Sequence, residues 1–223
     1  MPRVFMFDAY GTLFDVHSAV AQAGAPLGPI AGEFSALWRS KQLEYTWIYS
    51  AMGVADNPAH NFEALTARSL DFCLAKYGIN NPALRADLLN AYQTLSAFAD
   101  VIPALSDVKA GGNQTAIFTN GTRTMIDAAL AASGVAGLID IVITVEGTNF
   151  YKPKREVYQH AHGHVGAPSP LDVVFVSSNR WDVAGAANFG FTPVWCNRTG
   201  QPSEYGGFDP IVMVPDLTGI GGV

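Results

Sequence analysis

The chain has 223 residues, of which 49% are hydrophobic and 14% are charged, as is typical of a globular protein with a large core and not of a disordered chain. Its formal charge is −6 and its 13 lysines and arginines form no basic cluster, which argues against a nucleic-acid partner. No stretch approaches the roughly 20 apolar residues of a membrane span, and the first residues lack a signal-peptide pattern. We therefore expect a cytoplasmic protein without membrane partners.

A short apolar strand is predicted at the start of the chain. Val4 to Phe7 show no polar alternation, which is typical of a parallel strand covered on both faces. Asp8 follows directly, so its carboxylate is expected at the carboxyl end of that strand. Open parallel sheets bind ligands at this end of their strands, which makes Asp8 a candidate functional group.

The pattern becomes helical after the first strand. Apolar residues recur at helical spacing in residues 34–52 and 62–77, and Pro82 is expected to begin a third helix that runs to about residue 96. We interpret residues 16–96 as an all-helical cap subdomain inserted after the first strand.

Strands and helices alternate in the rest of the chain, which predicts βαβ units and a parallel sheet. The expected strands are 115–118, 141–145, 173–176, 193–196 and 211–214, and the expected helices lie around Leu105 and at 124–133, 155–163 and 182–189. The predicted fold class is α/β, with a doubly wound parallel Rossmann-like sheet core formed by residues 1–15 and 97–223.

Polar groups follow four of these predicted strands. The four segments are Asp8 to Thr12, Thr119 to Gly121, Lys152 with Pro153, and Ser177 to Asp182. Because the carboxyl ends of parallel strands meet at one edge of a sheet, these carboxylates, hydroxyls and one lysine are expected to share a crevice. Such a mixture of groups is typical of an active site.

The four segments, DAYGT, TNG, YKP and SSNRWD, resemble in order and separation the motifs of the haloacid dehalogenase superfamily. Within it, FDVHSAV, SALWRSKQLEYTW and REVYQHA resemble segments of the bacterial L-2-haloacid dehalogenases. The resemblance covers nearly the whole chain. It implies a hydrolase that converts short-chain 2-haloalkanoic acids, which are small anions, into 2-hydroxyalkanoic acids.

The resemblance also implies a nucleophile and groups that assist it. Asp8 would attack C2 of the substrate, expel halide and form an ester that water then hydrolyses. Lys152 would hold Asp8 ionised, because a cation within about 4 to 6 Å lowers the pKa of a carboxyl group. Asp182 is the main candidate to orient or deprotonate the water, and the identity of the base stays open. The other catalytic candidates are Ser177 and Asn179 beside the water, Thr12 on a carboxylate, and Tyr158 on Lys152 or Asp8.

Binding roles follow from the same resemblance. Arg39 and Asn120 match the positions that receive the departing halide, which needs preplaced donors in a water-poor pocket. Ser178, Asn179 and nearby main-chain amides are expected to bind the substrate carboxylate. Thr119 stands where these dehalogenases have serine and is expected to hydrogen-bond a carboxylate. The apolar pocket would comprise Tyr10, Leu43, Phe62 and Trp181, with ordinary core packing as the alternative for the last three.

Position 10 separates two chemistries. Phosphatases of this superfamily carry a second aspartate there, which protonates a basic alkoxide leaving group. A halide leaves unprotonated, so Tyr10 is compatible with carbon–halogen cleavage and unfavourable for phosphoryl transfer. We therefore expect no metal and no cofactor, and the histidines at 160, 162 and 164 are not expected to form a metal site. The alternatives are a magnesium-dependent phosphatase of the same fold and a catalytically silent binding protein. A homodimer packed partly through the cap is also expected.

Overall fold

The computed structural model describes residues 2–166 and 169–223, which form six strands and eight α-helices in the described part of the chain. The strands are β1 (Val4–Phe7), β2 (Gln114–Thr119), β3 (Ile141–Thr144), β4 (Val173–Ser177), β5 (Thr192–Cys196) and β6 (Val212–Val214). The helices are α1 (Ser18–Ala23), α2 (Ala31–Met52), α3 (Phe62–Lys76), α4 (Pro82–Gln93), α5 (Val101–Ala110), α6 (Arg123–Ser133), α7 (Arg155–Val165) and α8 (Arg180–Phe189).

The six strands form one parallel sheet in the order β3-β2-β1-β4-β5-β6. This arrangement confirms the predicted doubly wound α/β fold. The chain builds outward from β1 to β2 and β3, and then crosses to the other side of β1 to build β4, β5 and β6. The strand order therefore reverses at β1 and β4, the place at which sheets of this kind bind ligands.

The register of the sheet fixes the position of Asp8 along the strand direction. Phe7 pairs with Ile117 of β2 on one side and with Val176 of β4 on the other. Asp8 therefore emerges between the ends of these two strands, and its N–H still donates to the Val176 carbonyl at 2.9 Å. All four residues of β1 are buried, as expected for a central strand with helices on both faces.

Four helices lie between β1 and α5, where the sequence predicted three. The additional helix, α1, has only six residues, which is too short to show a helical repeat in the sequence. The starts of α3 and α4 are fixed by Asn61 and Asn81, whose side chains accept a backbone N–H in the first turn. α2 packs mainly against α3, and α1 against α4.

The helical layer is joined to the loops at the carboxyl edge of the sheet. Tyr151, just before Lys152, donates its N–H to the Ser50 hydroxyl of α2 at 2.6 Å and its own hydroxyl to the His60 carbonyl at 2.6 Å. These contacts hold α2 and the start of α3 over the end of the central strand. In the described part of the chain, no helix is both long enough and apolar enough to cross a membrane.

Candidate active site

The Asp8 carboxylate lies at the centre of the site and is 6% exposed. Its Oδ2 accepts hydrogen bonds from Thr12 Oγ1 at 3.0 Å, Ser177 Oγ at 3.3 Å and Asn179 Nδ2 at 2.8 Å. Among the described residues, its Oδ1 accepts only from Lys152 Nζ, at 3.2 Å. One carboxylate oxygen is thus held by three neutral donors, and the other retains free lone pairs beside a cation.

Lys152 is buried between two carboxylates. Its Nζ donates to Asp8 Oδ1, to Asp182 Oδ2 at 2.9 Å and to the Phe118 carbonyl at 2.6 Å, which uses all three of its protons. The same ammonium lies 4.2 Å from the centre of the Phe118 ring and 5.1 Å from that of Phe175. A buried lysine requires this degree of pairing, since an isolated charge would be too costly to remove from water.

Asp182 is fully buried in the first turn of α8. Burial raises the pKa of Asp182 to about 6; the Asp8 charge also raises it, and Lys152 and the Tyr158 hydrogen bond oppose the rise. The Tyr158 hydroxyl donates to Asp182 Oδ1 at 2.6 Å. The expected contact of Tyr158 with Lys152 or Asp8 is replaced by this one, because α7 packs against α8 and brings the ring to Asp182. Burial raises the pKa of Tyr158 well above its usual value, so it stays a donor.

Two backbone amides that were expected to bind the substrate carboxylate are used inside the protein. The Ser178 N–H donates to Thr12 Oγ1 at 2.8 Å, and the Asn179 N–H donates to Ser177 Oγ at 3.1 Å. Each amide occupies a lone pair of a hydroxyl and so directs the hydroxyl proton toward Asp8 Oδ2. These two amides therefore serve the Asp8 carboxylate, and binding of the substrate carboxylate by other nearby amides stays a prediction.

The Ser178 side chain does not join the hydrogen bonds around Asp8 in the described part of the chain, and its contact with the substrate carboxylate stays a prediction. Its hydroxyl is buried without a hydrogen-bond partner among the described residues, and its carbonyl accepts from Trp195 Nε1 at 3.2 Å. The side chain lies beside Cys196. Burial raises the pKa of that thiol, and the Arg198 charge and the serine hydroxyl only partly oppose the rise.

Arg39 reaches the site from α2. Its Nη2 donates to the Tyr10 carbonyl at 3.0 Å and lies 3.5 Å from Asn179 Oδ1, and its Nη1 donates to Gln42 Oε1 at 2.8 Å. Asn179 in turn donates to both Asp8 and the Tyr10 carbonyl. The structure thus places a guanidinium one side chain away from the Asp8 carboxylate, and its role in binding halide stays a prediction.

The residues after β2 flank the site on its other side. Asn120 is buried, and its Oδ1 accepts the Lys152 N–H at 3.0 Å. Thr119 Oγ1 accepts the Gly121 N–H at 3.0 Å. The expected hydrogen bond from Thr119 to a carboxylate is not among those of the described residues; the hydroxyl closes the turn after β2 instead.

Tyr10 forms an aromatic wall. Its ring is buried, stacks on Tyr92 with centroids 5.8 Å apart and lies 5.5 Å from the ring of Phe62. A side-chain carbon added to Gly121 would lie only 2.7 Å from Tyr10 Cε2, so the ring needs glycine there. The Tyr10 hydroxyl has no partner among the described residues, and burial raises its pKa well above 10.0, so it remains neutral.

In the described part of the chain, neither Leu43 nor Trp181 forms a hydrogen bond with Asp8 or with the residues that bond Asp8. Leu43 is half-buried on α2. Trp181 packs edge-on against Trp47, with ring centroids 5.6 Å apart. It lines an apolar groove of about 490 Å³ whose other walls are Trp47, Ser50, Ala51, Tyr151, Pro153, Lys154 and Tyr205. Asp8 and Arg39 do not line this groove.

A second cavity, with both polar and apolar walls, adjoins the site. It has a volume of about 160 Å³, and Phe62 and Asn120 form part of its wall together with residues of the loops after α2, β2 and β3. Since Phe62 also contacts Tyr10, this cavity lies next to the aromatic wall.

Across residues 2–166 and 169–223, no group of three or more histidine, cysteine, aspartate or glutamate side chains is arranged to hold a metal ion. Asp8 and Asp182 instead share the Lys152 ammonium as their cation.

Several residues of the site were not found from the sequence. Gln42 and Tyr92 contact Arg39 or its partners, and Gly121 makes room for Tyr10. Gln42 lies one helical turn after Arg39, so the spacing could have indicated it. Tyr92 carries no comparable signal, because its contact with Gln42 joins two helices 50 residues apart.

A family model described as haloacid dehalogenase-like hydrolase matches residues 2–190. The chain therefore belongs to the haloacid dehalogenase-like hydrolases, in agreement with the resemblance seen in the sequence. One similar protein is (S)-2-haloacid dehalogenase 1 of Pseudomonas sp. (strain CBS-3). It is 43% identical to this chain over 91% of this chain and 88% of that protein.

Solved structures give the same result. A dehalogenase with an intermediate complex has a TM-score of 0.93 and 39% identity over 98% of this chain and 95% of its own. The L-2-haloacid dehalogenase of Xanthobacter autotrophicus, solved with chloropropionic acid covalently bound, has a TM-score of 0.84 and 29% identity over 99% and 97%.

Proposed function

We propose that this chain is a hydrolase acting on carbon–halide bonds, which converts short-chain (S)-2-haloalkanoic acids to 2-hydroxyalkanoic acids with Asp8 as nucleophile. The observation that carries the proposal is the buried Asp8–Lys152 pair, with the Arg39 guanidinium one side chain away. The similarity to (S)-2-haloacid dehalogenases over nine-tenths of the chain supports the same conclusion.

The first step is a substitution at C2 of the substrate. Asp8 Oδ1 is the candidate attacking atom, because Oδ2 is held by three donors and Oδ1 by Lys152 alone among the described residues. A carbon–oxygen bond forms, the carbon–halogen bond breaks, and the halide departs with the bonding electrons. No proton is required, so a neutral tyrosine at position 10 does not impede this step.

Arg39 is proposed to receive the halide, together with Asn120. The guanidinium supplies fixed N–H donors and a positive charge where negative charge develops, and such preorganised donors lower a barrier most in a water-poor site. Tyr10 and Phe62 are proposed to exclude water around the alkyl group, with Leu43 and Trp181 as further parts of that pocket.

The second step is hydrolysis of the Asp8 ester. Water attacks the acyl carbon, the 2-hydroxy acid leaves, and the carboxylate is restored. Overall, substrate and water yield hydroxy acid, halide and one proton. Asp182 is proposed to orient or deprotonate the water, with Ser177 and Asn179 nearby. Tyr158 and Lys152 are proposed to fix Asp182. Thr12 and Thr119 hold the loops on either side, and Ser178 is proposed to lie near the substrate carboxylate.

The other expectations from the sequence remain part of this proposal. Residues 1–15 and 97–223 are proposed as the catalytic core, and residues 16–96 as a cap over it. A cytoplasmic homodimer is proposed as the working form, and sedimentation would measure its mass.

The test is halide release from each enantiomer of 2-chloropropionate in excess chelator, with the configuration of the lactate product measured. Chloride release from the (S) substrate is expected, with the configuration at C2 inverted by the single displacement there. Release of phosphate from small esters, abolished by chelator and without any halide release, would favour a phosphatase instead.

A further inference from the structure

Among the described residues, Gln42 is the only side chain of the helical layer that accepts a short hydrogen bond from Arg39, at 2.8 Å, and the Tyr92 hydroxyl lies near the same guanidinium. The sequence assigned Gln42 no role. We propose that Gln42 is a positioning residue that aims the Arg39 guanidinium at the Asp8 site while leaving its positive charge free for an anion. The proposal deepens the proposed function, and its kinetic test rests on that function.

The Gln42 amide lies where three helices meet. It is 1% exposed, one turn after Arg39 on α2. Its Oε1 accepts from Arg39 Nη1 at 2.8 Å and from the Tyr92 hydroxyl of α4 at 3.1 Å. Its Nε2 lies 2.6 Å from Thr66 Oγ1 of α3 and 3.0 Å from the Tyr92 oxygen. Every hydrogen-bonding atom of the amide therefore has a partner.

Thr66 decides which way the amide faces. Its hydroxyl donates to the Phe62 carbonyl one turn earlier in α3, at 2.7 Å. A hydroxyl has a single proton, so toward Gln42 it can only accept. The amide must therefore present its NH₂ group to Thr66 and its carbonyl oxygen to Arg39. The opposite orientation would turn N–H groups toward a guanidinium that has only donors.

The neutrality of Gln42 matters as much as its orientation. The three partners of Arg39 are the oxygens of Gln42 Oε1, Asn179 Oδ1 and the Tyr10 carbonyl, and none carries a full charge. Across residues 2–166 and 169–223, no carboxylate lies within 4.0 Å of its guanidinium nitrogens. A glutamate at position 42 would compete with any bound halide for the same charge.

A water molecule has little room beside the amide. The void beside Arg39, Gln42 and Tyr92 has a volume of about 10 Å³, which is the lower limit of the about 10 to 15 Å³ that one water molecule needs. Loss of the Gln42 oxygen would remove the only hydrogen bond that Arg39 Nη1 makes in the described chain.

The experiment compares Gln42→Glu and Gln42→Met with wild type. Gln93→Met, a half-buried glutamine of α4, is the control for loss of an amide. Bromide affinity is measured by calorimetric titration, and kcat and KM by chloride release from (S)-2-chloropropionate. Gln42→Glu is expected to weaken bromide binding and lower kcat by about tenfold or more, and Gln42→Met to lower both less. Gln93→Met is expected to match wild type.

Thr66 supplies a second pair of variants for the case that Gln42→Met fails to fold. Thr66→Val removes the acceptor that orients the amide and is expected to weaken bromide binding, whereas Thr66→Ser keeps the hydroxyl and is expected to restore it. Normal bromide affinity in Gln42→Glu, or equal losses in Gln93→Met, would overturn the proposal.

The two proposals fail in different ways. If wild type releases no halide from any 2-haloacid, the proposed function is wrong. Bromide titration still tests whether Gln42 positions Arg39 for anion binding. Bromide binding to wild type that weakens in Gln42→Glu would support the positioning role. Wild type that binds no bromide would refute it.

Discussion

Lys152 Nζ lies 2.9 Å from Asp182 Oδ2, and neither side chain is more than 1% exposed. The same ammonium bonds Asp8, so one cation serves two carboxylates that would otherwise repel each other. The lysine is thus a structural requirement of the sheet edge as well as part of the proposed chemistry.

Removal of the Lys152 charge is expected to destabilise the fold. Lys152→Met leaves two buried carboxylates facing each other, and loss of one member of a buried ion pair costs about 3 to 5 kcal/mol. Chemical denaturation would measure this cost, and halide release is expected to vanish. Lys154→Met is the matched control, because Lys154 is half exposed and its ion pair with Glu156 is long, at 4.0 Å. Similar unfolding free energies in the two variants would contradict the prediction.

The pH dependence follows from Asp182. Its folded pKa is raised from 3.8 to about 6, mainly by burial. If ionised Asp182 is needed to handle the water, activity falls as pH drops through about 6. The stability contribution has the opposite trend: a raised carboxyl pKa means that the folded state binds the proton more tightly. This contribution is complete below 3.8 and is lost as pH rises through about 6.

Tyr158→Phe tests the assignment of that titration. The tyrosine hydrogen bond lowers the pKa of Asp182, so its removal is expected to raise that pKa further and move the acid limb of the pH–rate profile to higher pH. An acid limb at the same pH as in wild type would show that another group titrates.

The ester route makes an isotopic prediction. In a single turnover in ¹⁸O-water, the label is expected in the Asp8 carboxylate and not in the first hydroxy acid, because water attacks the acyl carbon of Asp8. Mass spectrometry of the peptide that contains Asp8 would detect it. Label found directly in the first product would rule out the ester.

Arg39→Ala is expected to abolish halide release while the chain still unfolds cooperatively. Arg39 is half-buried and contributes to the site through neutral partners, so its loss leaves no opposing charge behind. Arg68→Ala, an arginine of the same helical layer that bonds Tyr49, is the control. Near-normal turnover by Arg39→Ala would remove Arg39 from the mechanism.

Gly121→Ala is expected to raise KM, because the new methyl group would lie 2.7 Å from Tyr10 Cε2 and push the ring out of place. Gly163→Ala is the control, since nothing lies within 4 Å of its added carbon. Steady-state kinetics on both variants would reveal the difference. Equal KM values would mean that Tyr10 does not shape the pocket.

The sequence predicted the strands and most helices because each carries a local signal, such as the unbroken apolar run Val4 to Phe7. It placed Asp8, Lys152 and Asp182 together because parallel strands end at one edge. It did not predict that Tyr158 bonds Asp182, since that contact depends on how α7 packs on α8. The hydrogen bond from the Ser178 N–H to the Thr12 hydroxyl was not predicted either, because a contact between residues 166 positions apart produces no local sequence pattern.

The order of the strands has a consequence for biosynthesis. Asp8 is translated 144 residues before the lysine that pairs with it, and β4, the second neighbour of the central strand, follows later still. A nascent chain therefore carries Asp8 without this counter-ion until Lys152 of the 223 residues is made, and one unpaired edge of β1 until β4 ends at Ser177. Shorter polypeptides are expected to release no halide and to associate through that open edge.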